Sequence, residues 1–415
     1  MLKYCRPFKE KISIIRGAGS PVQIPNHRRS RMDKDTLLSS FGKWVVPLNA
    51  KIISDWTDKT GEDKYVKKLH SLTYLLIFMD AQLQQRDCLR TIVTELQCNQ
   101  AFQKELGITS ISTSQLSRKN NKLSSEVLQS MFADLVLKIS EHSYPVSGRI
   151  GTVKLLDSTT MSLCLSKYKW ATYRKTKSGV KLHLRVTFCD PETVYPEKAV
   201  LTPAKPADRT QMDALIDETG ATYVFDRGYL DYKKYDHYCK EGIFFVTRLK
   251  DNAVVETLSE YPVAENALIH RDQMVRIGKR KNRMEEALRL IETTDLKGKL
   301  IRIISNRFDL TAEEISELYR NRWKIETFFR WIKQHLKLTR FYGEQENAVW
   351  NQILICLIAY SLQLLMKMEL GTTKSLLELS RLLISMLHQP WENFREAVFR
   401  EPTRTSKGRQ KVVKT

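Results

Sequence analysis

Tyr319-Arg-Asn-Arg-Trp-Lys-Ile-Glu-Thr-Phe-Phe-Arg-Trp-Ile-Lys333 is the stretch that decides how this chain is read. Read as one helix at about 100° per residue, it places Tyr319, Arg322, Glu326 and Lys333 at roughly 0°, 300°, 340° and 320°, a single narrow stripe. Ile325, Phe328, Phe329, Ile332 and Leu336 fall together on the adjoining face, which predicts a helix buried along that side. A carboxylate set among two cations and a phenol beside a buried face is suited to holding an anion near a metal.

The rest of the chain is unusually basic. Its 415 residues carry 68 Lys and Arg against 47 Asp and Glu, a net charge of +21, with a pI near 9.6. The excess is spread from Arg28-Arg29 to the tail from Arg400 on, where six Lys and Arg meet one Glu. Basic charge spread in this way suits a long nucleic-acid footprint, because each neutralised phosphate releases counterions. The seven cysteines are dispersed, odd in number and without a Cys-x2-Cys pair. That pattern argues against a zinc knuckle or a disulfide frame and for a reducing cytoplasm. The N-terminus lacks the continuous apolar region of a secretory signal. Ala348 to Met366 is the most apolar run, but Asn351, Gln352 and Gln363 interrupt it. It reads as a buried helix and not as a membrane span.

Five regions are expected. Residues 1–31, basic and aperiodic, read either as a disordered arm or as an upstream extension. Residues 32–148 read as helical, with apolar residues at helical spacing between Tyr65 and Leu96. There Ile111 to Leu123 offers a Ser/Thr-capped helix rich in Gln, Arg, Lys and Asn before a second helix, as in a helix-turn-helix reader of DNA. From about 150 short strands begin: 151–156, 181–188, 199–202, 221–225 and 243–248, with helices expected over 211–218 and 232–241. Residues 251–309 carry further strand-like pieces around the basic turn Gly278 to Arg283. Thr311-Ala-Glu-Glu314 is a capping box that opens the helix first described. Residues 371–415 hold C-terminal helices and a basic tail.

Cleaving a phosphodiester requires charge neutralisation at the phosphate and an oxygen nucleophile held in line. Two divalent ions about 4 Å apart supply both, and carboxylates hold them because hard cations prefer oxygen. Asp157, in Leu155-Leu-Asp157, and Asp226, in Val224-Phe-Asp226, are expected at the ends of two strands. Glu326 is the third acid, on the helix. Mg²⁺ is the expected cofactor, as two ions that Mn²⁺ can replace.

The Tyr319-x2-Arg322-x3-Glu326-x6-Lys333 spacing resembles the signature of bacterial insertion-sequence transposases of the "insertion sequence four" type, which have a DDE active site. The flanks Ile303 to Arg307, Phe341-Tyr-Gly343 and Asn347 to Gln352 resemble that family too, as does Asp226-Arg-Gly-Tyr229. There Gly228 is expected to permit a tight turn. The resemblance covers about 150 to 370 well and the N-terminal part more loosely. It implies an α/β fold: an RNase H-like catalytic core over 149–250 and 310–370, a β-rich insertion at 251–309, and an all-α DNA-binding domain before them. Asp157, Asp226 and Glu326 then hold the metals. Tyr319, Arg322 and Lys333 contact phosphates near the cut, with Arg227 and Lys337 as further candidates and His183 behind them. Relatives stack a flipped base on a Trp in the insertion. No Trp lies between Trp170 and Trp323 here, which leaves Trp323, Tyr229 or Met274 for that role. The implied activity is cut-and-paste transposition in the bacterial cytoplasm, at the nucleoid, by a homodimer bridging two element ends. The alternatives are a catalytically silent DNA-binding regulator and a nuclease that only hydrolyses.

Overall fold

The computed structural model describes residues 39–143, 149–190, 193–263, 268–295, 298–336, 338 and 340–400. The 1–31 segment, the tail beyond 400 and Lys337 lie outside the described residues.

Seven helices come first: α1 (Ser40–Val45), α2 (Ala50–Thr60), α3 (Ser71–Leu83), α4 (Leu89–Cys98), α5 (Gln100–Leu106), α6 (Thr113–Lys122) and α7 (Ser125–His142). The helical periodicity between Tyr65 and Leu96 resolves into α3 and α4, separated at Gln84 to Cys88, where Gln85 adopts a left-handed φ of 53°. α6 begins with a full capping box, Ser112 with Gln115. Two of its polar residues turn inward. Lys119 reaches Glu62 and Asp63, and Asn120 accepts from the Tyr74 hydroxyl.

The strands follow: β1 (Val153–Leu163), β2 (Thr172–Arg174), β3 (Lys177–Asp190) and β4 (Thr193–Pro203), then α8 (Met212–Leu215), β5 (Thr222–Phe225), α9 (Tyr232–Lys240) and β6 (Phe244–Arg248). The helix expected over 211–218 is one turn, α8, after a 3-10 turn at Asp208–Gln211. Residues 251–309 supply β7 (Val255–Glu260), β8 (Ile269–Ile277), β9 (Leu288–Thr294) and β10 (Leu300–Ser305). They form no separate sheet. One ten-stranded sheet runs β2-β3-β1-β5-β6-β10-β9-β8-β7, with β4 on β3. β1, β5 and β6 are parallel to one another, and β3 is antiparallel to β1. The basic turn at 278–283 leads to Glu285 and Glu286, whose backbone N–H groups donate to Asp236 of α9, and Lys240 pairs with Glu285.

Alternation along β1 feeds two cores. Leu155 joins the larger one, with Ile325, Phe328 and Ile332; Leu156 joins a second, with Tyr229, Tyr235 and Phe245. The C-terminal helices are α10 (Ala312–Asn321), α11 (Trp323–His335), α12 (Glu346–Leu370), α13 (Leu376–Ser385) and α14 (Trp391–Phe399). α12 is long and apolar enough to cross a bilayer, but 78% of its most apolar window is buried inside the protein. Its interrupting polar groups are used there. Asn351 donates to the carbonyls of Asn120 and Leu123, and Gln352 donates to that of Arg340 while accepting from Tyr342 N–H.

Candidate active site

The parallel register of β1 on β5 ends at Leu156 opposite Phe225. Asp157 and Asp226 are the next residues on each chain, so they emerge side by side where the two strands part. Asp157 does not end its strand, as the sequence suggested. β1 continues to Leu163 because its ladder with β3 runs seven residues past Leu156, the point where the four-residue β5 stops. Asp226 caps the 3-10 turn Arg227–Tyr229 by accepting from Gly228 N–H at 3.2 Å. Gly228 has no left-handed φ, and an added Cβ would meet only Asp208 Oδ2 at 3.6 Å. The tight-turn role expected for it is therefore not needed.

The signature helix is two helices, where the periodicity predicted one. Arg322 joins them in right-handed helical conformation, but with i→i+3 bonds: its N–H donates to Tyr319 O, and Ile325 N–H donates to Arg322 O, both at 3.2 Å. Such tightening marks a local shift from α to 3-10 pitch. The apolar face holds through the joint, with Ile325, Phe328, Phe329, Ile332 and Leu336 all buried. It presses α11 onto the sheet and delivers the polar stripe to β1. Arg322 Nη1 lies 3.4 Å from Asp157 Oδ2, and Nη2 lies 2.7 Å from Glu326 Oε1. Its guanidinium also sits 5.9 Å from the centre of the Tyr319 ring. Lys333 Nζ donates to Thr159 Oγ1, two residues beyond Asp157 on the same face of β1. Burial lowers the Lys333 pKa.

The three acids sense one another. Burial pushes the Asp157 carboxyl up to about 6; the Ser158 N–H and Arg322 oppose that rise, and the negative charges of Glu326 and Asp226 add to it. Crowded carboxylates at a strand end are a donor set suited to hard divalent cations. Among the described residues, no group of three acid, His or Cys side chains is drawn in tightly enough to hold an ion as it stands. Arg322 occupies the gap between Asp157 and Glu326, and its positive charge stands between them.

The other expected contacts divide. Trp323 is 52% exposed beside Arg322, and Arg227 is exposed after Asp226. Tyr229 is buried in the second core, which excludes it as a stacking platform, and Met274 is half-buried. His183 is fully buried, and burial lowers its pKa to about 4, so it is a neutral packed residue and not a phosphate ligand. Sequence reading missed Asp208. On the face of β1 opposite Asp157, Asp208 Oδ1 accepts from Ser158 Oγ at 2.8 Å and Lys181 Nζ at 2.9 Å, with His183 Nδ1 at 3.5 Å. The buried Tyr229 hydroxyl, whose pKa burial raises and the charges of Asp208, Asp157 and Asp226 raise further, borders the same spot. An Asp in a Pro-rich loop carries no periodic signal; only its partners reveal it.

Residues 149–362, more than half of the chain, match the DDE domain of transposases. The chain belongs to the DDE transposase family. Residues 36–109 match a domain of unknown function, DUF4372. A Geobacillus stearothermophilus protein named as a transposase for insertion sequence element IS5377 is 28% identical over 62% of this chain and 67% of its own length. A Sinorhizobium fredii protein named as transposase y4zB is 32% identical over 51% of this chain and 59% of its own. A Synechocystis protein named for insertion sequence element IS4SA is 30% identical, over 52% and 62%. The matches thus span between 59% and 67% of these curated relatives. A piggyBac transposase synaptic complex with hairpin DNA is similar at 10% identity and a TM-score of 0.43, over 88% of this chain and 83% of that one. Transposases with a DDE domain are DNA-cleaving enzymes that generally use divalent metal ions, and the family's core is RNase H-like.

Proposed function

We propose that this transposase cuts its element free by metal-dependent hydrolysis and joins the 3′-OH ends to target DNA, as a cut-and-paste enzyme. The observation that carries the reading is the meeting of Asp157, Asp226 and Glu326 at one end of the β1–β5 pairing, with Arg322 linking two of them. The strand order β4-β3-β1-β5-β6, three antiparallel strands and then parallel ones with helices between, supports an RNase H-like core. Strands β7 to β10 then form a β-rich insertion that extends its sheet, and α1 to α7 form the end-binding unit.

In this reading Asp157, Asp226 and Glu326 would hold two Mg²⁺ ions, and the chemistry those ions would supply is activation of an attacking oxygen and neutralisation of charge at the phosphate. The residues of the chain do the positioning. The buried face of α11 fixes Glu326 opposite β1. Arg322, which bridges Asp157 and Glu326, offers a planar fork that matches a phosphate. Lys333 places a point charge beside Thr159. Tyr319 backs the guanidinium. Arg227 and Trp323 extend the DNA contact around the acids, and Lys337 is a further candidate for a phosphate. Two copies of the chain hold the two element ends.

The test uses purified full-length protein, duplexes of its own element ends and a target plasmid, with and without Mg²⁺. Nicked ends and joined products that appear only with the ion are expected. Cleavage without joining would instead favour the hydrolytic nuclease, and end binding without cleavage the silent regulator.

A further inference from the structure

The segment between α2 and α3 presents an aromatic ring on strained backbone. Tyr65 is 88% exposed and has a φ of 63°, a left-handed conformation that side chains with a Cβ rarely adopt. Strain of this kind persists only where the surroundings enforce it, and it gathers at functional sites. Here the enforcing contacts are visible. The Asp63 carboxylate accepts from the backbone N–H and hydroxyl of Ser71 and from Lys119 Nζ of α6, and Lys119 also reaches Glu62. Both acids of the segment are thereby consumed. Lys64, Lys67 and Lys68 remain exposed, and none has an acid partner among the described residues. Lys64 Nζ lies 5.2 Å from the Tyr65 ring centre. From α6, Arg118 and Lys122 are exposed in the same unpaired state.

A run of lysines alone is usually a solvated face. Its place in the fold distinguishes this one. Asn121 of α6 accepts from Asn347, and an added Cβ at Gly343 would lie 3.0 Å from Asn120 Nδ2. Residues 343 and 344 in turn accept from Tyr168 and Trp170, on the arm that follows β1. Unbroken contact therefore leads from the strand of Asp157, along that arm, to α6 and the Tyr65 loop. The arm adds the exposed cations Arg174, Lys175 and Lys177, none with an acid partner among the described residues.

Resting on the DNA-cleaving function proposed above, we infer that the 64–68 loop and α6 form a second duplex-DNA contact, reached from the acids along the arm after β1. The lysines and Arg118 engage backbone phosphates. The Tyr65 ring packs on the sugar–phosphate wall. This gives the N-terminal unit a stated surface and a stated partner.

The test measures binding of full-length protein to a duplex of the element end and to a scrambled duplex over a salt series, together with thermal melting. Lys67→Glu with Lys68→Glu should weaken binding to both duplexes and flatten the salt dependence by a slope of roughly 2, since each lost phosphate contact removes about 0.9. Lys279→Glu with Arg280→Glu, in the β8–β9 turn that docks on α9, should change neither. Tyr65→Gly relieves the backbone strain, so the expected pairing is no loss of melting temperature with several-fold weaker DNA binding. Loop variants that bind like the wild type, with the same slope, would overturn the inference while the functional reading stood. Wild-type protein that binds no duplex at any salt would overturn both.

Discussion

Arg322 Nη1 lies 3.4 Å from Asp157 Oδ2 while its other terminal nitrogen holds Glu326 at 2.7 Å. The guanidinium therefore bridges two carboxylates that would otherwise repel. Arg322→Ala should lower thermal stability without metal by roughly 1.5–3 kcal/mol, the usual loss for a charged hydrogen bond. Added Mg²⁺ should raise the melting temperature of the variant more than that of the wild type, because the ion takes over the lost positive charge. Cleavage should still fall, since the phosphate loses its fork. An equal Mg²⁺-induced rise in both proteins would show that Arg322 does not share the metal's place.

Asp208 is expected to position Asp157 from behind. It holds Ser158 Oγ, and the Ser158 N–H donates to Asp157 Oδ1 at 2.7 Å. Asp208→Ala should raise the Mg²⁺ concentration for half-maximal cleavage and leave end binding unchanged. Ser158→Ala should do the same more weakly. The double variant should fall short of the sum of the two, as coupled neighbours do. Full additivity would mean that the two residues act separately, and the relay through Ser158 would fail.

His388 gives the protein a pH-dependent clamp. It lies between Asp80 of α3, at 3.2 Å, and Glu105 of α5, at 3.4 Å, with Arg86 3.9 Å from Asp80. Burial alone would lower its pKa, but the two carboxylates outweigh that and push it up to about 9. A raised folded-state value means the contribution is complete below the ordinary value near 6.5 and is lost as pH rises through 9. Stability should therefore fall between those values by up to about 1.4 kcal/mol per pH unit. Chemical denaturation from pH 6 to 9.5 measures this, with His388→Gln as the flat control. A wild-type curve as flat as the variant's would remove the clamp.

The parts of the site built on periodicity were legible. The apolar face of α11 and the Thr311–Glu314 capping box could be read from spacing alone, and both are present. Asp226 was legible because β5 is a short apolar run with an evident end. The joint at Arg322 was not, because an αR residue with i→i+3 bonds leaves the side-chain period almost unchanged. Nor was the continuation of β1 past Asp157, which depends on pairing with a distant strand. The 251–309 strands could be read as β, but their merger into the main sheet rests on the β6–β10 ladder, Val246 to Arg248 against Ile303 to Ser305. Nothing local to either segment announces it. Within the polar helix read over Ile111 to Leu123, Lys119 and Asn120 turn inward to Glu62, Asp63 and Tyr74, which only the third dimension could show.

The most direct measurement is Mg²⁺-dependent cleavage of element-end DNA by Asp157→Asn, Asp226→Asn and Glu326→Gln, run beside end binding on the same preparations. Each substitution keeps side-chain size and removes a carboxylate charge proposed to bind metal. Cleavage is predicted to vanish in all three while the protein still folds and still binds the ends. Wild-type cleavage in any one of them would show that this acid is not part of the catalytic centre.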